Sequence, residues 1–115
     1  MIIGVAMDER LQRRVSANES AFREVNEAIE RGVWQGEEHS PVAFRCECAS
    51  LDCAHLVDLT PKEYEHVRAD PRRFFVLRGH EIPDVETVVE QHAGYVVVEK
   101  RDEAGEAAEA RDPRA

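Results

Sequence analysis

The sequence predicts an α+β fold: one sheet of about four strands, a long N-terminal helix and two shorter helices, in the order α-β-β-α-β-α-β. Three observations carry it. An apolar repeat of helical period lies near the N-terminus, short aromatic and β-branched runs recur later, and three cysteines sit between two candidate strands. A chain of 115 residues suits one domain. The boundaries read as a single domain over 8–101 and a disordered acidic tail over 102–115.

From Asp8 to Arg31 the pattern is helical. Leu11, Val15, Asn18, Phe22, Val25 and Ile29 follow at alternating spacings of four and three, one stripe of a helix about 36 Å long. Gly32 supplies a C-terminal stop. A four-stranded sheet is only about 15–20 Å across, so part of the stripe, at Leu11 or Val15, is expected to overhang and meet a partner. The alternative is that Met1–Ala6 or the Val33-Trp34 turn folds back over it. Asn18 interrupts the stripe. It either sets register in a pair of helices or hydrogen-bonds at the helix edge.

Gln35 to Pro41 reads as a polar loop, Val42 to Cys48 as a strand entering the cysteine cluster, and His55 to Leu59 as the strand leaving it. Thr60-Pro61-Lys62-Glu63 is a helix start, with Thr60 as cap and Glu63 closing a capping box. That helix ends near Asp70-Pro71. Phe74 to Leu77 reads as a buried strand. Pro83 opens a third helix, with Val85, Val88, Val89 and His92 on its apolar side and Gly94 closing it. Tyr95 to Glu99, with three consecutive valines, is the clearest strand. The segment between the last two strands is long enough for a right-handed parallel crossover. Beyond Arg101 the chain is rich in Ala and Glu without apolar period, hence the disordered tail.

Charged residues make up 34% of the chain and the net charge is −9, which argues against direct nucleic-acid binding. Arg68, Arg72, Arg73 and Arg78 read as a solvated rim paired with Glu63, Glu65 and Asp70. No apolar stretch approaches the ~20 residues that cross a bilayer. Met1–Ala6 also lacks the basic start of a signal peptide, so a cytoplasmic, reducing setting without membrane contact is expected. Met1 and Met7 are both candidate starts.

In that setting three cysteines within ten residues point to metal or redox chemistry, not a disulfide scaffold. In an extended chain residues i and i+2 share a side, so Cys46 and Cys48 can reach one ion. Four intervening residues then turn the chain and bring back Cys53. Structural Zn2+ takes four Cys or His ligands. His80, after Gly79 at the end of a buried strand, competes for the fourth place with His55, which would complete a compact C-x-C-x4-C-x-H. Four ligands inside ten residues are cramped, which favours His80. His92 reads as a core residue, and His39 and His66 as exposed. The opposing reading is three reduced cysteines packed in a core. Their neighbours Glu47, Ser50 and Asp52 do not look like a core strand.

Asn18-Glu19, Phe22-Arg23-Glu24-Val25-Asn26-Glu27, the cysteine cluster, Gly79-His80-Glu81 and Tyr95-Val96-Val97-Val98 together resemble a group of small uncharacterised actinobacterial proteins. The resemblance covers about residues 10 to 100. It implies that Cys46, Cys48, Cys53 and the Gly79-His80 pair belong to one site, with no activity attached and a cytoplasmic setting.

The leading functional reading is a non-enzymatic, zinc-stabilised adapter or regulatory module that binds a protein partner. An enzyme is the runner-up, through thiol-redox or zinc-hydrolase chemistry at the cysteines. Against it, the chain lacks C-x-x-C, H-E-x-x-H, G-x-S-x-G and a Gly-rich phosphate loop. A third reading is self-association through the N-terminal helix.

Overall fold

A computed structural model describes residues 9–33 and 36–114. Met1–Ala6, Met7, Asp8 and Trp34 lie outside the described residues. The elements are α1 (Glu9–Arg31), β1 (Val42–Arg45), β2 (Leu56–Leu59), α2 (Pro61–Arg68), β3 (Arg73–Val76), β4 (Glu86–Gln91), β5 (Val96–Lys100) and α3 (Asp102–Ala110). The fold is α+β, but its strands form two antiparallel sheets, a β1-β2 hairpin and a β3-β5-β4 sheet, in place of one.

Alternation explains the hairpin. Val42 faces Leu59 and Phe44 faces Val57 across the register, and this face is turned inward. Thr60 then stops the strand and starts α2. Its hydroxyl accepts from the Glu63 N–H at 3.0 Å, and the Glu63 carboxylate accepts from the Thr60 N–H at 2.8 Å. A cap of this kind contributes about 1 kcal/mol. The core between hairpin, α2 and sheet is aromatic. Phe44 stacks on Tyr64 at 4.6 Å between ring centres, and Phe75 meets Phe44, Tyr64 and Tyr95 edge-on.

The helix expected from Pro83 to Gly94 is instead the strand β4, so there is no parallel crossover among the described residues. Thr87, Val88 and Val89 are β-branched and stiff at χ1, which favours a pleated strand. Val88 pairs with Val98 and Glu90 with Val97, and the bulge between them turns Val89 outward. The bulge breaks the period-two pattern, so the helical spacing of Val85, Val88, Val89 and His92 is a coincidence. His92 leaves the strand, hydrogen-bonds Glu90 and stacks on Tyr95.

The expected disordered tail is also corrected. Residues 102–110 are helical and pack against α1 and β5. Their buried positions, Gly105 and Ala108, are too small to register as an apolar period. A Cβ on Gly105 would lie 2.4 Å from Nη1 of Arg72, so the small residue makes room for that arginine. Arg72 reaches Glu109 at 3.0 Å, Arg68 reaches Asp112 at 2.5 Å, and Arg114 clasps Glu27 and Glu65, each at 2.6 Å. Of the expected run, Arg68, Arg72 and Arg73 are ion-paired, Arg73 with Glu99, Glu90 and Asp70, whereas Arg78 donates to the carbonyls of His92 and Ala93. Arg68 is buried and so not part of a solvated rim. Among the acids expected to pair with this run, Asp70 alone does so, 3.8 Å from Arg73.

The largest departure is the face α1 buries. Of the apolar stripe only Phe22 is buried, with Ile29 partly so, while Leu11 is 41% and Val25 46% exposed; the other buried residues are Glu19, Arg23, Asn26 and Glu27. They recur at three- and four-residue spacings, so they share one side of the helix. Each of these polar side chains has a partner within the chain, as buried polar groups generally do, although Arg23 Nε itself has none. The Lys100 ammonium lies 2.6 Å from Glu19 and 2.5 Å from Glu86. Arg23 donates to the carbonyls of Pro71 and Arg73, with its guanidinium 3.6 Å above the Phe74 ring. Burial pushes the Glu19 carboxyl up to about 7, with the Glu86 charge adding to it and the Lys100 ammonium opposing. Burial acts upward on Glu27 too. Hydrogen bonds from Arg114 and Tyr64 outweigh it and hold that carboxyl down at about 2.

Candidate metal centre

After β1 the chain stays extended, and Glu47 links the hairpin to β3. Its N–H donates to the Phe75 carbonyl at 3.1 Å, and its carboxylate accepts from the Phe75 N–H at 3.3 Å. Glu47 is fully buried, contrary to the expectation that the cluster's polar neighbours lie outside the core. Burial pushes its carboxyl up, against the positive charge of Arg23 and a hydrogen bond from Asn26. With Glu47 directed inward, Cys46 and Cys48 point to the opposite side, as the two-residue alternation requires.

A tight turn then returns the third thiol. The Cys53 N–H donates to the Ser50 carbonyl at 3.2 Å, and the Asp52 N–H to the Ser50 hydroxyl at 3.3 Å. The fourth side chain arrives from the end of β3. Gly79, at φ +95°, takes a left-handed turn that a side-chain-bearing residue resists. His80 follows with its N–H on the Leu77 carbonyl at 2.9 Å.

One ligand-type atom from each of Cys46, Cys48, Cys53 and His80 lies within 4.8 Å of the others. The three cysteines are buried and unpaired in disulfides. The Cys46 sulfur is 3.8 Å from Nδ1 of His80. A tetrahedral ion with about 2.3 Å to sulfur and about 2.1 Å to nitrogen sets such a pair about 3.6 Å apart. That pair is therefore spaced as on a tetrahedral ion, within a set that could hold a metal. The sulfurs are close enough to share a proton: hydrogen bonding with Cys46 draws the Cys48 thiol down to about 4, and the same contact pushes Cys46 up.

Of the two candidate histidines, His80 joins the converging set. His55 is exposed and meets the His80 ring edge-on at 5.9 Å, while its carbonyl accepts from the Cys46 N–H at 3.1 Å. His39 and His66 are exposed.

The cage is braced by α1, a connection that sequence reasoning missed. Asn26 is fully buried. It donates to the Arg45 carbonyl at 2.8 Å and accepts from the Arg45 N–H at 2.7 Å, gripping the residue before Cys46 as a paired strand would. Its amide also donates to Glu47 at 3.0 Å. Asn18 donates to the Ala49 carbonyl at 2.9 Å, so it hydrogen-bonds at the helix edge, within the chain. The Cys46 sulfur accepts from the Leu77 N–H at 3.2 Å. The available signal was the run of polar residues at 19, 23, 26 and 27, a helical face drawn in the wrong chemistry.

A cleft of about 470 Å³ opens beside the cage, lined by Cys48, Ala49, Ser50, Gly79, His80 and Ile82. Leu51 and Leu56, on either side of Cys53 in the chain, are 71% and 62% exposed. No helix among the described residues is long and apolar enough to cross a membrane.

Fold and site together define a small α+β protein with a candidate Cys3His metal centre at the tip of a hairpin. No family model, curated protein or solved structure matches the chain.

Proposed function

We propose that the chain is a non-enzymatic, zinc-stabilised module that presents its metal-tied tip to a protein partner. The observation that carries this is the convergence of Cys46, Cys48, Cys53 and His80 within 4.8 Å. Three soft thiolates and an imidazole brought this close together suit Zn2+ better than the oxygen-preferring divalent ions. A four-ligand site has no coordination position left for a substrate or a reactive water, which favours a structural role. The ligands join the hairpin to the end of β3, so the ion ties two sheets together. Exposed Leu51 and Leu56 at this tip support a surface that another protein reads. Persistent thiols accord with a reducing, cytoplasmic setting. Self-association through α1 is less supported, because Asn18 already gives its amide to Ala49.

The test is metal content and its consequence. Protein made with zinc present under reducing conditions should carry about one Zn2+ per chain. Its cobalt-substituted form should show the absorption of a tetrahedral, sulfur-rich site. Binding energies of roughly 10–16 kcal/mol for such sites match or exceed the ~5–15 kcal/mol stability of a typical domain. Chelation should therefore loosen the hairpin and lower the melting temperature. Protein without metal, or an apo form that melts unchanged, would refute the proposal.

A further inference from the structure

We infer that the cleft beside the metal cage receives an arginine or lysine side chain from a basic peptide segment of a partner, an inference that rests on the zinc reading above. Charge is the first reason. Three thiolates and a neutral imidazole around Zn2+ leave the centre with one net negative charge, and Cys48 and His80 form part of the cleft wall. The Glu81 carboxylate stands at its edge, accepting from the Gly79 N–H at 2.7 Å, and the exposed Asp52 is held next to the wall by its backbone N–H on the Ser50 hydroxyl.

Residues 46–55 and 79–85 contain no lysine or arginine, and they carry Asp52, Glu81 and Asp84. Two arginines flank them and keep their positive charge, because their partners are neutral: Arg45 at the Cys53 carbonyl and over the Phe22 ring, Arg78 at the carbonyls of His92 and Ala93. Their two positive charges fall short of the four negative charges of the metal centre and those three carboxylates.

Shape and polarity are the second reason. The other wall residues include Ala49 and Ile82, which suit the methylene stem of a long cationic side chain while its head approaches the sulfur and the carboxylates. About 470 Å³ exceeds what one such side chain needs and falls within the range of small-ligand sites. Exposed Leu51 gives a neighbouring apolar residue of the same peptide a place to rest. A nucleic acid is disfavoured by the same negative field.

The experiment uses the zinc-loaded full chain labelled with ¹⁵N and a blocked pentapeptide with arginine at its centre flanked by leucine. Saturable amide shifts should centre on Ala49, Ser50, Gly79 and Ile82, and affinity should fall as salt is raised. Replacing arginine by neutral citrulline should abolish saturation. Asp52→Lys, an exposed change, should weaken binding about two- to fivefold without altering zinc content. A chain found to lack zinc overturns the module reading and this inference with it. A zinc-loaded chain that ignores the peptide, or binds the citrulline form equally well, overturns this inference alone.

Discussion

Replacing Asn26 by alanine removes the side chain that fastens α1 to the cage. Two of its hydrogen bonds are neutral and engage both backbone groups of Arg45; the third goes to the buried Glu47 carboxylate. Neutral bonds contribute about 1 kcal/mol each and one to a charged group about 1.5–3 kcal/mol. The expected loss is about 4 kcal/mol, a large share of a typical domain's stability. Because Arg45 immediately precedes Cys46, zinc affinity should also fall, by roughly the 10–100-fold seen when groups orienting metal ligands are removed. Urea unfolding of zinc-loaded protein reads the first effect, and competition against a chromophoric chelator reads the second. Asn26→Asp, nearly the same shape, should cost more than Asn26→Ala near neutral pH, since it sets a second carboxylate against Glu47. Val25→Ala, at an exposed neighbour, should stay within about 0.5 kcal/mol. If Asn26→Ala costs under about 1 kcal/mol and leaves zinc affinity unchanged, α1 does not brace the cage.

Three further outcomes are expected. A folded Glu19 carboxyl raised from about 4.5 to about 7 stabilises fully below about pH 4.5 and loses that contribution as pH climbs through 7. Glu19→Gln should therefore gain on wild type between pH 5 and 8 by an amount on the order of 3 kcal/mol, with both proteins zinc-loaded; a flat difference would show that Glu19 titrates normally. Truncation after Arg101 should lower the melting temperature and the amide protection of α1, because it removes the Asp112 and Arg114 partners of Arg68 and Glu27; an unchanged melt would mean that α3 only rests on the surface. His80→Ala should weaken zinc binding far more than His55→Ala, and the reverse order would place His55 in the coordination sphere.

Local chemistry explains which features were legible. Thr60-Pro61-Lys62-Glu63 encodes its own cap, the valines of β5 prefer extended backbone, and the alternation around Glu47 puts two cysteines on one side whatever the rest of the fold does. The cysteine spacing and Gly79-His80 pointed to the observed cage. The apolar stripe of α1 misled because a buried helix face need not be apolar when Lys100, Arg68 and Arg114 neutralise its acids across the sequence. No periodicity reports a partner more than 80 residues away. β4 and α3 were missed for smaller reasons, a bulge that disrupts alternation and buried positions filled by glycine and alanine.

The charged inner face of α1 also bears on how the chain matures during synthesis. Glu19 must wait for Lys100, 81 residues later, and Glu27, which Arg68 can meet first, for Arg114, 87 residues later. At about 5–20 residues per second of translation, that is a delay of roughly 4–17 s after the helix leaves the ribosome. A greasy helix kept waiting that long would invite chaperones or clump with its neighbours on the same messenger. One whose docking side is mostly polar and charged stays hydrated until its counter-charges emerge, then locks in place.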